Sequence, residues 1–352
     1  MQVFSYLCSK FLKNMTTNEV YADFFASGNR FVIFTHIAPD GDAMGSSLAL
    51  WHWLRGNDKQ ATIIVPNQFP PFLAWLPGAE YILVYETQTA EAEAVMQQAD
   101  RFICADFNEP KRIGVVGERL LQFDCPKLLI DHHLNPSDFA TVTISNPAAS
   151  STCELVYKLL STLDSRLSTE IAVCLYTGLM TDTGNFAFNS NNPELYEIIA
   201  ALMRAGIDKD AIYDHVFNQY SVDRMRLMGY CLYRKMRVFP EYHLALITLS
   251  DEELQQFHFQ QGDAEGIVNL PLQVTDIYYS VLMREQAAKP GTPSSIIKIS
   301  FRSQGDRPVN IMAHEVFRGG GHKNASGGDF YGTVAAATRV FLREYPKYFK
   351  KD

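Results

Sequence analysis

Apolar runs only four or five residues long, separated by helix-like stretches, fill the first part of this chain and restrict the core it can build. Phe31-Val32-Ile33-Phe34 is apolar at every position. A strand with no polar face is at home only in a sheet covered on both sides. Residues 61–65, 101–105 and 127–130 repeat the pattern. Between them, 46–54 is rich in Leu, Ala and Trp and predicts a helix. Ser151-Thr152-Cys153-Glu154 has the spacing of a capping box opening a helix through Leu163. Ser168-Thr169-Glu170 starts another, with Ile171, Leu175 and Leu179 four apart on one face. Strands alternating with helices predict an α/β domain with a doubly wound, mostly parallel sheet.

Composition shifts after Phe188. Residues 193–206 and 208–219 read as helices, and 222–236 as a charged amphipathic segment able to link two domains. Strand-like runs follow at 243–249, 277–283, 294–301 and 328–331, with a helix over 334–345. A chain of 352 residues suits two domains better than one core. The expected division is 17–220, a helical linker over 221–238, and a smaller α/β domain over 239–352. No apolar run approaches the eighteen or so residues of a membrane span. Residues 1–14 mix lysines with short apolar stretches, so no secretory signal is expected there, and 1–16 carry no readable role. The six cysteines form no Cys-x-x-Cys pair, and several sit in apolar runs. Reduced thiols and a cytoplasmic setting are the expectation. A net charge of −8 lacks the electrostatic footprint of a long-duplex binder but leaves room for a ligand of a few nucleotides.

Against this background four polar segments stand out at the ends of apolar runs: His36-Ile37-Ala38-Pro39-Asp40-Gly41-Asp42, Asp106, Asp131-His132-His133, and Asp182 within Thr181-Asp182-Thr183-Gly184. Each has a plain alternative. Pro39-Asp40-Gly41 is good turn chemistry, Asp106 could cap a helix, the paired histidines could be hydrogen-bonded rim residues, and Asp182 could stabilise a turn. The conjunction decides, because ligands of doubly wound sheets gather outside the carboxyl ends of the strands and three of the four segments fall there. Carboxylates and imidazoles without a thiolate suit Mn²⁺ or Mg²⁺ better than structural zinc. Asp40, Asp42, Asp106 and Asp182 carry the charge that two divalent cations neutralise; without cations they would raise one another's pKa. Two such ions about 4 Å apart clamp a phosphoryl group and generate hydroxide at neutral pH. The residues therefore predict a metal-dependent phosphoesterase.

The pattern His-x-x-Pro-Asp-x-Asp-x-x-Gly-Ser from His36 to Ser46, with Asp106, Asp131-His132-His133 and Asp182, resembles the DHH phosphoesterase superfamily. Glu265-Gly266-Ile267-Val268-Asn269, Ser300-Phe301-Arg302-Ser303 and Gly319-Gly320-Gly321-His322 resemble its DHHA1 C-terminal domain. Within that superfamily the pattern is nearest to the NrnA type of bifunctional oligoribonuclease and 3′-phosphoadenosine-5′-phosphate phosphatase. The resemblance implies His36 and Asp40 on one ion, Asp42, His132 and Asp182 on the other, and Asp106 bridging. It implies that Asp131 orients an imidazole and that His133 faces the substrate phosphate. The implied substrates are very short RNA or adenosine 3′,5′-bisphosphate, cut by a two-metal-activated hydroxide, with Mn²⁺ favoured and Mg²⁺ the alternative.

Arg302, Gly320, Gly321 and His322 are the expected substrate-binding set. Glycines permit close backbone approach and positive φ, and Arg302 offers a bidentate fork to phosphate. A plain glycine-rich turn is the alternative there. Arg112, Arg318 and Lys323 read equally well as solvated charges. A pyrophosphatase or exopolyphosphatase would use the same cations, and a non-catalytic nucleotide-binding module would keep the fold without the chemistry. A homodimer is compatible with all of these readings.

Overall fold

The computed structural model describes residues 16–164, 167–260, 262–286 and 295–349. Cys8, the segment 1–14 and Ser294 lie outside the described residues. The chain separates into two compact units between Gln219 and Tyr220.

The first unit runs α1 (Thr17–Ala26), β1 (Arg30–Phe34), α2 (Gly41–Gly56), β2 (Gln60–Val65), β3 (Leu83–Val84), α3 (Tyr85–Gln98), β4 (Arg101–Ala105), α4 (Val115–Leu120), β5 (Lys127–Asp131), β6 (Val142–Ser145), α5 (Thr152–Leu163), α6 (Thr169–Asp182), α7 (Pro193–Arg204) and α8 (Lys209–Phe217). The six strands are all parallel, in the order β3-β2-β1-β4-β5-β6. The doubly wound sheet expected from the sequence is the one found. Alternate strand residues enter different cores: Phe31, Ile33, Ile103 and Ile130 pack on one face, Val32, Phe34, Phe102 and Leu129 on the other. That two-sided burial is why the strands carry no polar face.

Chain order reverses between β1 and β4, and such a switch point opens a crevice at the strands' carboxyl ends. Strands β1, β4 and β5 are neighbours there, with Phe34 opposite Cys104 and Ala105 opposite Ile130. Helix α2 begins earlier than the predicted 46–54. Asp40 caps it by accepting the N–H groups of Asp42 and Ala43, which places Asp42 in the first turn. Helices α2 and α6 pack at glycines: a Cβ on Gly45 would lie 2.4 Å from the Cys174 carbonyl oxygen. The predicted capping box is half formed. Ser151 accepts Glu154 N–H, but the Glu154 carboxylate binds Ser150 instead of reaching back to Ser151.

The second unit runs α9 (Val222–Tyr230), β7 (Arg237–Phe239), β8 (Leu244–Leu249), α10 (Asp251–Gln256), β9 (Tyr279–Gln286), β10 (Ile296–Ser303), α11 (Asn310–Phe317), β11 (Gly320–His322), β12 (Ala325–Tyr331) and α12 (Val334–Glu344). Its mixed sheet has the order β11-β12-β10-β9-β8-β7, with only β8 and β9 parallel. Helix α9 is packed within this unit, where Leu227 joins Ile247, Leu249 and Ile267. In β10, Ile297, Ile299 and Phe301 enter a core with Phe317 and Phe341, so Lys298, Ser300 and Arg302 take the opposite face. Among the described residues no helix is long and apolar enough to cross a membrane, and Cys104, Cys125, Cys153, Cys174 and Cys231 are free.

Candidate metal centre

His36 leaves the end of β1, Asp106 follows β4, and Asp131, His132 and His133 close β5. Asp42 enters from the first turn of α2, and Asp182 is the last residue of α6. These elements converge on Asp106. One of its carboxylate oxygens, Oδ2, lies 3.4 Å from His36 Nε2; the other, Oδ1, lies 3.7 Å from His132 Nε2. Asp106 is 2% exposed and adopts φ +65, a left-handed conformation uncommon outside glycine. Its backbone N–H is held by the Ile130 carbonyl at 2.9 Å.

Around this carboxylate two groupings form. His36, Asp40 and Asp106 each present a ligand atom within 4.8 Å of the others, and so do Asp42, Asp106 and His132. His36 Nε2 is 3.8 Å from Asp40 Oδ1. His132 Nε2 is 3.8 Å from Asp42 Oδ2 and 3.4 Å from Asp182 Oδ2. Ring orientation follows from backbone carbonyls: Nδ1 of His36 meets Ile37 O at 2.9 Å, and Nδ1 of His132 meets Ala149 O at 3.3 Å. In both rings Nε2 is left facing the carboxylates. A third grouping, Asp106, Asp131 and His133, has another basis. Both oxygens of the fully buried Asp131 accept from His133, from Nδ1 at 2.7 Å and from the backbone N–H at 3.1 Å.

The electrostatics describe a place built for positive charge. Burial, then the Asp106 and Asp182 charges, push the Asp42 carboxyl well above the ordinary carboxylate range. Burial disfavours a charged His36, yet Asp106 and Asp40 outweigh it and raise its pKa to about 10. His132 is raised to about 9 against its own burial by Asp182, Asp42 and Asp106. Burial likewise opposes charge on Asp106, but His36, His133 and His132 hold it below its usual range. Without cations, protons on imidazoles must do the neutralising. Bound divalent ions would replace them, and hard oxygen and imidazole donors are suitable ligands for such ions. Cys153 adds no thiolate, since burial and the nearby Asp42 charge hold its thiol protonated.

Two contributors carry no clear sequence signal. Thr152, at the start of α5, donates its hydroxyl to Asp106 Oδ1 at 2.9 Å and its backbone N–H to Asp42 Oδ2 at 2.6 Å, while Cys153 N–H reaches Asp42 Oδ1 at 2.9 Å. In sequence Thr152 looks like ordinary first-turn threonine. Asn67 Oδ1 accepts the N–H of Ala38 at 2.7 Å, where Ala38 takes φ +55 in the loop between His36 and Asp40.

The C-terminal candidates lie in the second unit. Arg302 of β10 is opposite Ala325, and Ala325 is opposite His322 of β11, so the three share a cross-strand row. Gly320 and Gly321 belong to strand β11 instead of a bare turn. Gly321 has φ +134, and a Cβ on the preceding Gly319 would lie 1.8 Å from the Gly327 carbonyl oxygen. Only glycine fits that close approach.

Fold and centre together define a doubly wound α/β protein whose carboxyl-edge loops gather acids and imidazoles. Residues 30–179 match the DHH family, N-terminal domain. An exopolyphosphatase-related protein from Bacteroides fragilis, known as a crystal structure, is 46% identical, with a TM-score of 0.87 over 94% of this chain and 96% of its own. The chain belongs to the DHH family. Among curated relatives, the bifunctional oligoribonuclease and PAP phosphatase NrnA of Thermus thermophilus is 29% identical over 85% of this chain and 84% of its own length. Its namesake in Bacillus subtilis is 22% identical over 85% and 89%.

Proposed function

We propose that this protein is a metal-dependent phosphoesterase that hydrolyses very short oligoribonucleotides, adenosine 3′,5′-bisphosphate, or both. The observation that carries the reading is the division of Asp106 between His36 on one oxygen and His132 on the other, with Asp40, Asp42 and Asp182 around them. In this reading His36 and Asp40 would hold one Mn²⁺, Asp42, His132 and Asp182 would hold the other, and Asp106 would serve both; Mg²⁺ is the alternative ion. Two such ions would supply a hydroxide nucleophile at neutral pH and neutralise phosphoryl charge. The chain supplies the rest. Asp131 keeps a proton on His133 Nδ1, which fixes the ring for a role at the phosphate: stabilising charge or protonating the leaving oxygen. In the second unit, Arg302 and His322 bind a terminal phosphate beside the backbone of Gly320 and Gly321. The NrnA relatives, named for both activities, support the substrate class.

A second reading, hydrolysis of condensed phosphates, is favoured by the description of the Bacteroides relative. The Gly319-Gly320-Gly321-His322 stretch, standing where a condensed-phosphate site would call for lysines and arginines, weighs against it. Turnover of a ribodinucleotide, adenosine 3′,5′-bisphosphate and pyrophosphate with Mn²⁺ present separates the readings. Faster cleavage of the two nucleotides is expected; a preference for pyrophosphate sinks the proposal, and no Mn²⁺-dependent product from any of them sinks both readings.

A further inference from the structure

We infer that Thr152 is a positioning residue that sets the shared carboxylate of Asp106 and thereby makes the two cation positions a coupled pair. The inference rests on the metal reading above and extends it to a residue that is not itself a ligand. Thr152 spans the centre with two donors: its hydroxyl meets Asp106 Oδ1 at 2.9 Å and its backbone N–H meets Asp42 Oδ2 at 2.6 Å. All three groups are buried. They come from chain segments 46 and 110 residues apart, so one threonine ties the carboxylates delivered by β4 and α2 to the start of α5.

The two donors have different consequences. Any residue but proline keeps the backbone N–H, so the grip on Asp42 survives substitution. The hydroxyl is the one donor that depends on side-chain identity, and it acts on the oxygen of Asp106 nearer His132. A carboxylate torsion is broad and roughly two-fold. A hydroxyl anchored on a β-branched side chain at a helix start narrows that freedom. Asp106 is thereby held with one oxygen toward His36 and the other toward His132, as a bridge between two ions requires. Groups that orient a ligand in this way typically change metal affinity about 10- to 100-fold when removed.

The test compares wild type with Thr152→Val, which keeps the shape and loses the hydroxyl, and Thr152→Ser, which keeps the hydroxyl and loses the methyl. Mn²⁺ titration by calorimetry is read together with the electron paramagnetic resonance signal of an exchange-coupled Mn²⁺ pair. We expect Thr152→Val to bind Mn²⁺ about 10- to 100-fold more weakly and to lose the coupled signal, with Thr152→Ser close to wild type in both. Unchanged affinity and coupling in Thr152→Val overturn the inference. So does an equal defect in Thr152→Ser, which would assign the effect to methyl packing. If Thr152→Val does not fold, Thr152→Ala against Thr152→Ser gives the same contrast. A wild-type protein that binds no Mn²⁺ overturns the metal reading itself, and this inference with it; two ions bound but unaffected by the hydroxyl overturn this inference alone.

Discussion

His133 is held twice by one buried acid: its Nδ1 lies 2.7 Å from Asp131 Oδ1, and its backbone N–H donates to Oδ2 at 3.1 Å. A carboxylate oxygen accepts from the ring nitrogen it faces, which favours the tautomer with the proton on Nδ1. Asp131→Asn offers an amide that can donate to Nδ1 and invert the tautomer. The expected result is a fall in kcat of about 100-fold or more, the scale of a lost proton-transfer partner, with bound Mn²⁺ unchanged. Metal analysis beside steady-state kinetics checks it. Loss of metal in that variant would place Asp131 among the ligands.

Cation removal should loosen the first unit. Asp42 is buried with Asp106 and Asp182 as unfavourable neighbours, and a divalent ion relieves that repulsion. Mn²⁺ at a hundredfold excess over its Kd should add about 2.7 kcal/mol per site, read as a higher thermal midpoint than in chelator. Asp106→Asn should lose most of that increment, because it belongs to both groupings.

Close packing of α6 against its neighbours is predicted to be exacting. A Cβ on Gly178 would lie 2.2 Å from Cys153 Sγ and 2.9 Å from Asp42 Oδ1. Gly178→Ala should therefore destabilise by about 1–3 kcal/mol and weaken Mn²⁺ binding. Adding Cys153→Ala removes the nearer obstacle and should recover part of the stability, a coupling measurable by a double-mutant cycle of denaturant unfolding. Strict additivity would contradict this account.

Acid stability should depend in part on Glu93. Its bond to Arg119 outweighs the opposing effect of burial and, with a weaker contribution from Tyr85, lowers its pKa from 4.5 to about 2. Unfolding frees the carboxylate to bind a proton near 4.5. The pair's contribution is thus fully present above that pH and is lost as pH falls toward 2. Glu93→Gln should lower the thermal midpoint at pH 6 and narrow its gap to wild type by pH 3. A gap that stays constant with pH would show that the charge is not responsible.

Local pattern determined much of this protein. Runs such as Phe31-Val32-Ile33-Phe34 announced strands buried on both faces, and polar groups following them marked the crevice where His36, Asp106 and His132 meet. Composition carries such information because burial on a doubly covered sheet selects residue type position by position. Elements with weak apolar patterning were not legible: the glutamine- and glutamate-rich α3, and the edge strand β6, which alternates Val, Thr, Ile and Ser. Asp40 illustrates the boundary, since it is both the turn residue its neighbours suggested and the cap that draws Asp42 into a helix. Tertiary structure alone decided which imidazole Asp131 holds, that Thr152 ties Asp42 to Asp106, and that α9 packs into the second unit. Hydrogen bonds between segments far apart in the chain leave no periodicity for a sequence to display, because they depend on where several elements end in space and not on what any one of them is made of.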